Sequence, residues 1–151
     1  MHSVFSFPRR VEFCETDAAG IAHFSSLIVY MEQAEHALLR SVGLSVAAAK
    51  TSSTSTEMAF SWPRVKVECE FLSPARFEDL IFIQTSIAAL GSKSVTYQHQ
   101  LLMGEKSIAT GKMTSVCCVQ EGDSLSSTQI PRSIRELLQP FCQSSGLPTP
   151  G

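Results

Sequence analysis

The residues best suited to chemistry lie in a short acidic segment near the N-terminus. Val11–Ile21, with the sequence VEFCETDAAGI, begins like a β-strand and runs into a turn of small residues. Asp17 lies in this turn, and Gly20 is free to adopt a positive φ angle. An amphipathic helix is predicted to start a few residues later. A carboxylate beside a helix N-terminus suits acyl chemistry. The carboxylate can attack an acyl carbon or activate a water molecule, while the free N–H groups of the helix bind the carbonyl oxygen.

The helix is predicted from apolar residues that recur at helical spacing from about Ser25 onward. Ser25 or Ser26 is the predicted N-cap, and Gly43 the predicted C-terminal cap. These apolar residues form a stripe along one face of the helix. The stripe must be buried against another element, because exposed apolar surface of this length is unfavourable in water. Its members are Leu27, Met31, Ala34, Leu38 and Val42.

Most of the remaining chain is predicted to form strands. In residues 64–71, apolar side chains alternate with charged ones, which is typical of a strand with one solvated face. The short connections predict antiparallel hairpins in a meander. The single apolar helix must then pack on the one available sheet, which gives an α+β fold with the sheet curled around the helix. The other predicted strands are Phe5–Cys14, Asp79–Leu90, Ser94–Leu102 and Lys106–Val119, and a short helix follows Pro131.

Length and composition indicate one globular domain. The 151 residues suit a single core, predicted over residues 1–142, with residues 143–151 as a flexible C-terminal tail. The net charge of −2 gives no general attraction to nucleic acid or to an anionic membrane. Apolar runs are too short to span a bilayer, and Met1–Arg10 lacks the layout of a signal peptide, so we expect a cytoplasmic protein.

The cysteines and other familiar motifs point away from metal or phosphate chemistry. The five cysteines include no Cys-x-x-Cys pair, so reduced, packed thiols are favoured over a zinc site. The sequence also lacks a Gly-x-Ser-x-Gly elbow and a glycine-rich phosphate loop. We therefore expect no metal and no bound cofactor.

These features together resemble the hotdog-fold acyl-CoA thioesterases, in particular the 4-hydroxybenzoyl-CoA thioesterase family. The resemblance begins with the acidic residue, spacer, aspartate and glycine of Val11–Ile21 and continues through Val67–Asp79, Gly91–Val95 and Ile130–Leu138. It covers nearly the whole chain. It implies a hotdog fold, in which a curved antiparallel sheet wraps a long central helix.

The resemblance also implies roles for individual residues. Asp17 is the catalytic carboxylate, and the backbone N–H at the helix start, at Phe24, binds the thioester carbonyl. Family members are dimers or tetramers with active sites at subunit interfaces, which suggests a homo-oligomer here. Coenzyme A is part of the acyl-CoA substrate and not a cofactor. The residues expected to contact this substrate are Gly20, His23, Glu32, Ser92 and Lys93, the last two at its phosphates.

Several alternatives remain open from the sequence. Asp17 can act as a nucleophile or as a general base, and an aspartate in such a turn can also serve only as a capping residue. Glu15 is interpreted as a solvated or helix-end charge. The family commonly has Asn where this chain has Ser26 and an aromatic residue where it has Leu27, so the acyl group is undefined. A thioesterase acting on acyl carrier protein and a non-catalytic acyl-CoA-binding protein are the rival hypotheses.

Overall fold

The chain forms a five-stranded antiparallel sheet packed against one long helix. The computed structural model describes residues 2–47 and 60–143. The helices are α1 (Phe24–Ser41) and α2 (Arg132–Leu138). The strands are β1 (Phe5–Arg10), β2 (Phe60–Ser61), β3 (Arg64–Phe71), β4 (Leu80–Leu90), β5 (Ser94–Met103), β6 (Lys106–Val116), β7 (Cys118–Glu121) and β8 (Ser124–Ser127). The large sheet has the order β1-β4-β5-β6-β3, and β2, β7 and β8 form a small second sheet.

Helix α1 buries its apolar stripe against the large sheet, as the sequence predicts. One core cluster surrounds Tyr30 and Met31 in its N-terminal half, and a second surrounds Leu38 and Leu39 in its C-terminal half. The helix comes very near the sheet at Gly111 of β6, where an added Cβ atom would lie 2.6 Å from the Met31 sulfur. A glycine at this position therefore permits the close packing of α1 on the sheet.

The prediction of a simple meander is wrong for β3. This strand pairs with β6 at the edge of the sheet and does not form a hairpin with β4. Residues 72–79 instead cross the N-terminal end of α1, where Ala22 N–H donates to the Ala75 carbonyl at 2.7 Å. Ile21 and Arg76 form a further isolated bridge. The connection is bonded to the loop before the helix, so it cannot act as a hairpin turn.

Three apolar residues of β3 are left largely uncovered by the residues that the structure describes. Val65, Val67 and Phe71 are 60%, 44% and 49% exposed. The sequence pattern predicts one solvated and one buried face, but within one chain both faces of this edge strand contact solvent. Arg64, which the pattern assigns to the solvated face, instead makes an ion pair with the buried Glu35 of α1.

The C-terminal end of the described chain packs on the large sheet. Gln143, the first residue of the predicted tail, donates its N–H to the Ile87 carbonyl at 2.8 Å and its side-chain amide to Ser86 Oγ at 3.0 Å. Residues 144–151 lie outside the described residues. No helix within residues 2–47 and 60–143 has the length and apolar character needed to cross a bilayer.

Candidate active site

Asp17 lies in a small closed loop that leads directly into α1. Thr16 and Ala22 pair as an antiparallel bridge at the base of the loop. Asp17 N–H donates to the Ile21 carbonyl at 2.8 Å, and Gly20 N–H donates to the Asp17 carbonyl at 2.9 Å. Gly20 has a φ of +79°, a conformation that side-chain-bearing residues rarely adopt. These bonds fix the position of Asp17 relative to the helix start.

The two carboxylate oxygens of Asp17 have different surroundings. Oδ1 accepts hydrogen bonds from Ala19 N–H at 2.8 Å and, more weakly, from Ile21 N–H at 3.4 Å. Oδ2 accepts none from the residues that the structure describes, and the side chain is only partly buried. One oxygen therefore orients the carboxylate, and the other is free to contact water or a substrate.

Helix α1 begins at Phe24, with His23 as its N-cap, so the predicted serine caps are wrong. His23 Nδ1 accepts from Ser25 N–H at 3.2 Å, and the His23 carbonyl accepts from Ser26 N–H at 2.9 Å and Leu27 N–H at 3.4 Å. The imidazole thus takes the capping role usually filled by a hydroxyl. Phe24 N–H has no acceptor among the described residues. It is the donor of the first helical turn that remains available to a carbonyl oxygen.

Glu15 is not the solvated charge that the sequence suggests. Its Oε2 accepts from Arg9 Nη2 at 2.6 Å, and its Oε1 accepts from the Tyr30 hydroxyl at 2.9 Å. Its backbone carbonyl accepts from His23 N–H at 2.8 Å and Ser26 Oγ at 2.9 Å. Glu15 therefore connects β1, the Asp17 loop and α1.

The predicted phosphate-binding residues lie far from Asp17 within one chain. Ser92 and Lys93 form the turn between β4 and β5, and their carbonyls accept from Ile130 N–H at 2.8 Å and Cys117 N–H at 2.7 Å. Both donors belong to the core cluster around the C-terminal half of α1. Since this cluster packs on Leu38, about 21 Å of helix separates it from the start of α1 at Phe24, beside the Asp17 loop. One chain therefore groups Asp17, Gly20, His23 and Phe24 but not Ser92 or Lys93.

Glu32 belongs to an ion-pair cluster between α1 and β3. Its carboxylate is half-exposed and lies 3.6 Å from Arg64 Nη2. Arg64 Nη1 lies 2.6 Å from Glu35 Oε2 and donates to Ser115 Oγ at 2.9 Å. Burial raises the pKa of Glu35 to about 7, although the Arg64 cation opposes this shift. Only 1% of Glu35 is exposed, so desolvation of the anion outweighs its attraction to Arg64.

The raised pKa of Glu35 predicts an unusual dependence of stability on pH. Because folded Glu35 binds its proton more tightly than the unfolded chain does, its contribution is complete below pH 4.5 and is lost as the pH rises to about 7. The loss is on the order of 3 kcal/mol. Urea unfolding across this range should show the decline in the wild type and its absence in Glu35→Gln. Glu105→Gln, in the exposed turn between β5 and β6, is the control, and parallel pH profiles for wild type and Glu35→Gln would contradict this prediction.

Comparison with known proteins identifies the family. The thioesterase superfamily model matches residues 19–107. An acyl-CoA thioester hydrolase of Escherichia coli O157:H7 is 27% identical over 117 residues, which cover 78% of this chain and 83% of that protein. The crystal structure of a Synechocystis 1,4-dihydroxy-2-naphthoyl-CoA thioesterase has a TM-score of 0.78 at 19% identity and covers 91% of this chain and 96% of its own.

A structure of a 4-hydroxybenzoyl-CoA thioesterase mutant bound to 4-hydroxybenzoyl-CoA has the same TM-score of 0.78, also at 19% identity, and covers 89% of this chain and 98% of its own. At this identity the two structures establish the fold alone. The family match starts two residues after Asp17, so it does not itself assign a role to that carboxylate. It does cover more than half of the sequence, and the chain therefore belongs to the thioesterase superfamily and has its hotdog fold.

Proposed function

We propose that this protein hydrolyses acyl-CoA thioesters, with Asp17 as the catalytic carboxylate and Phe24 N–H as a donor to the thioester oxygen. One observation carries the proposal: the loop that fixes Asp17 through Oδ1 runs directly into the helix whose first amide, that of Phe24, has no acceptor in the described part of the chain. The Escherichia coli relative, named as an acyl-CoA thioester hydrolase, supports the substrate class.

These groups suffice for thioester cleavage without a metal or cofactor. Asp17 Oδ2 either attacks the carbonyl carbon and forms a mixed anhydride, which water then cleaves, or removes a proton from a water that attacks the same carbon. The carbonyl oxygen gains negative charge, which Phe24 N–H stabilises; one such donor is typically worth about 3 kcal/mol. Coenzyme A leaves as a thiolate, since an ordinary thiol has a pKa of about 8.5 and needs little protonation. The products are a carboxylic acid and free coenzyme A.

We further propose that the working enzyme is a homodimer formed through β3. This strand is a sheet edge, and unpaired edges with apolar side chains invite a second strand. Val65, Val67 and Phe71 would be covered by a symmetry-related copy, and the two five-stranded sheets would form one sheet of ten strands. Phe24 and Phe71, whose ring centroids are 6.2 Å apart, connect this apolar surface to the start of α1.

A two-fold axis through β3 would also assemble the complete substrate site. Antiparallel pairing of two β3 strands reverses the direction of the second chain, so the C-terminal end of its α1 lies beside the N-terminal end of the first. The Ser92–Lys93 turn of the second copy would then face the end of the dimer that carries Asp17. Asp17 and Lys93 are far apart within one chain, but in this dimer Lys93 of the second copy would be able to contact the phosphates of coenzyme A.

Thiol release from a panel of acyl-CoAs tests the proposed activity. The panel contains short-chain, long-chain and aromatic acyl-CoAs, and each acyl group is also presented on acyl carrier protein. We expect at least one CoA thioester to be hydrolysed far above the uncatalysed rate. Thiol release only from the acyl carrier protein thioesters would mean that the substrates are these thioesters and not acyl-CoAs. No release from any member, together with measurable acyl-CoA binding, would support the non-catalytic alternative and overturn the proposal.

A further inference from the structure

We propose that Glu15 is a positioning residue, which holds the Asp17 carboxylate and the Phe24 amide at a fixed separation. This inference rests on the proposed function, because it assigns a purpose to contacts around the same site. Glu15 lies two residues before Asp17, and its side chain is largely buried. Its backbone and its side chain make independent contacts, and each fixes one side of the site.

The backbone carbonyl of Glu15 fixes the start of α1. It accepts from His23 N–H at 2.8 Å, immediately before Phe24, and from Ser26 Oγ at 2.9 Å in the first helical turn. Two donors from the helix start thus converge on one oxygen next to the Asp17 loop. Any movement of the Glu15 backbone would change the distance between the carboxylate of Asp17 and the amide of Phe24.

The side chain of Glu15 fixes that backbone from the other side. Its carboxylate accepts from Arg9 of β1 at 2.6 Å, from Tyr30 of α1 at 2.9 Å and from Glu12 N–H at 2.8 Å. Only 15% of the Glu15 side chain is exposed, so these bonds are largely shielded from water. Strand, loop and helix therefore meet at a single carboxylate.

Arg9 is itself held in place, which makes the contact with Glu15 rigid. Its Nε donates to Gln33 Oε1 at 2.9 Å, and its guanidinium carbon lies 4.7 Å from the centroid of the Tyr30 ring. Burial and the Glu15 carboxylate raise the pKa of Tyr30 well above its usual value, so its hydroxyl stays a donor at all ordinary pH values. Charge-assisted hydrogen bonds of this kind are stronger and more directional than neutral ones.

Two substitutions test the proposal through different atoms of the same contact. Glu15→Gln removes the charge that pairs with Arg9, and Tyr30→Phe removes one hydroxyl while keeping the ring. Because small displacements of reacting groups cost up to about 100-fold in rate, we expect kcat to fall by about 10- to 100-fold in Glu15→Gln and less in Tyr30→Phe. KM should stay within about threefold, since Tyr30 is fully buried and only 15% of the Glu15 side chain is exposed. The double variant should be no slower than Glu15→Gln alone.

Glu105→Gln is the matched control, because it makes the same charge change in the exposed turn between β5 and β6. It should leave kcat unchanged. The unfolding midpoint of each variant separates positioning from simple stabilisation, since a purely structural role lowers the midpoint but not the turnover of folded enzyme. Unchanged kcat in Glu15→Gln, or a rise in KM alone, would overturn the proposal.

Hydrogen exchange keeps this test independent of the proposed activity. Ala19 and Ile21 N–H bind Asp17 Oδ1, so both amides should exchange slowly in the wild type and faster in Glu15→Gln. Unchanged protection of both amides would refute the positioning role. If wild-type protein hydrolyses no acyl-CoA but its loop loosens in Glu15→Gln, the proposed function fails and the structural coupling stands.

Discussion

Asp17→Asn is expected to lower kcat for acyl-CoA hydrolysis by about 10²- to 10⁴-fold, the usual range for loss of a positioned acid or base. Asparagine is nearly isosteric with aspartate, and its Oδ1 can still accept from Ala19 N–H and Ile21 N–H. The loop should therefore keep its shape. The amide is neither a nucleophile nor a base at neutral pH, so both routes to thioester cleavage are blocked. Steady-state thiol release measures the effect.

Asp123→Asn is a suitable control for this experiment. Asp123 lies in the exposed turn between β7 and β8, where the same chemical change should leave kcat unaltered. The unfolding midpoint of Asp17→Asn should remain near that of the wild type, because Asp17 is only partly buried. Turnover at the wild-type rate in a folded Asp17→Asn protein would exclude a catalytic role. Asp17 would then be the turn residue that the sequence equally allows.

Local pattern was sufficient to predict the helix and the loop of this site, but not the cap at His23, and the strand predicted to reach Cys14 ends at Arg10. The apolar stripe from Leu27 to Leu38 encodes α1 and the surface it buries. The small residues after Asp17 encode a tight loop, and Gly20 has the predicted positive φ. The hotdog fold implied by the family resemblance is confirmed. The roles of Asp17, Phe24 and the substrate-contacting residues remain predictions, because membership of the superfamily assigns no role to an individual side chain.

Features that depend on contacts distant in sequence were not predicted. Arg9 lies on the same face of β1 as Phe5 and Phe7, and an arginine on the inward face of a strand indicates a buried acidic partner. The alternation of side chains along β1 was therefore the available clue to the contact between Arg9 and Glu15. No comparable clue marked Arg64, because the irregular pairing between Arg64 and Lys66 alters the alternation at the start of β3. The edge position of β3 was also hidden, since it depends on where residues 72–79 cross the helix.

Val67→Lys is expected to convert the protein to a monomer and to abolish most of its activity. Val67 is 44% exposed on the edge strand, so lysine costs little in the monomer, where surface substitutions usually change stability by about 0.5 kcal/mol or less. In the proposed dimer the same lysine would be placed near the two-fold axis, beside its symmetry mate. Two like charges would then lie opposite each other at a position that is now apolar, which opposes pairing of the two β3 strands. Sedimentation measures the mass, and thiol release measures the activity.

The control for this variant is Leu125→Lys, which changes an exposed aliphatic residue on β8 of the small sheet. It should keep the wild-type mass and turnover. If the active site is divided between two chains, Val67→Lys should lose the dimer and the activity together. The unfolding transition of the monomer should stay unchanged. The separation of Asp17 from Ser92 and Lys93 along α1 is the structural reason for expecting that division. A Val67→Lys monomer with full activity would require every substrate contact to come from one chain, and Lys93 could then have no role at the phosphates.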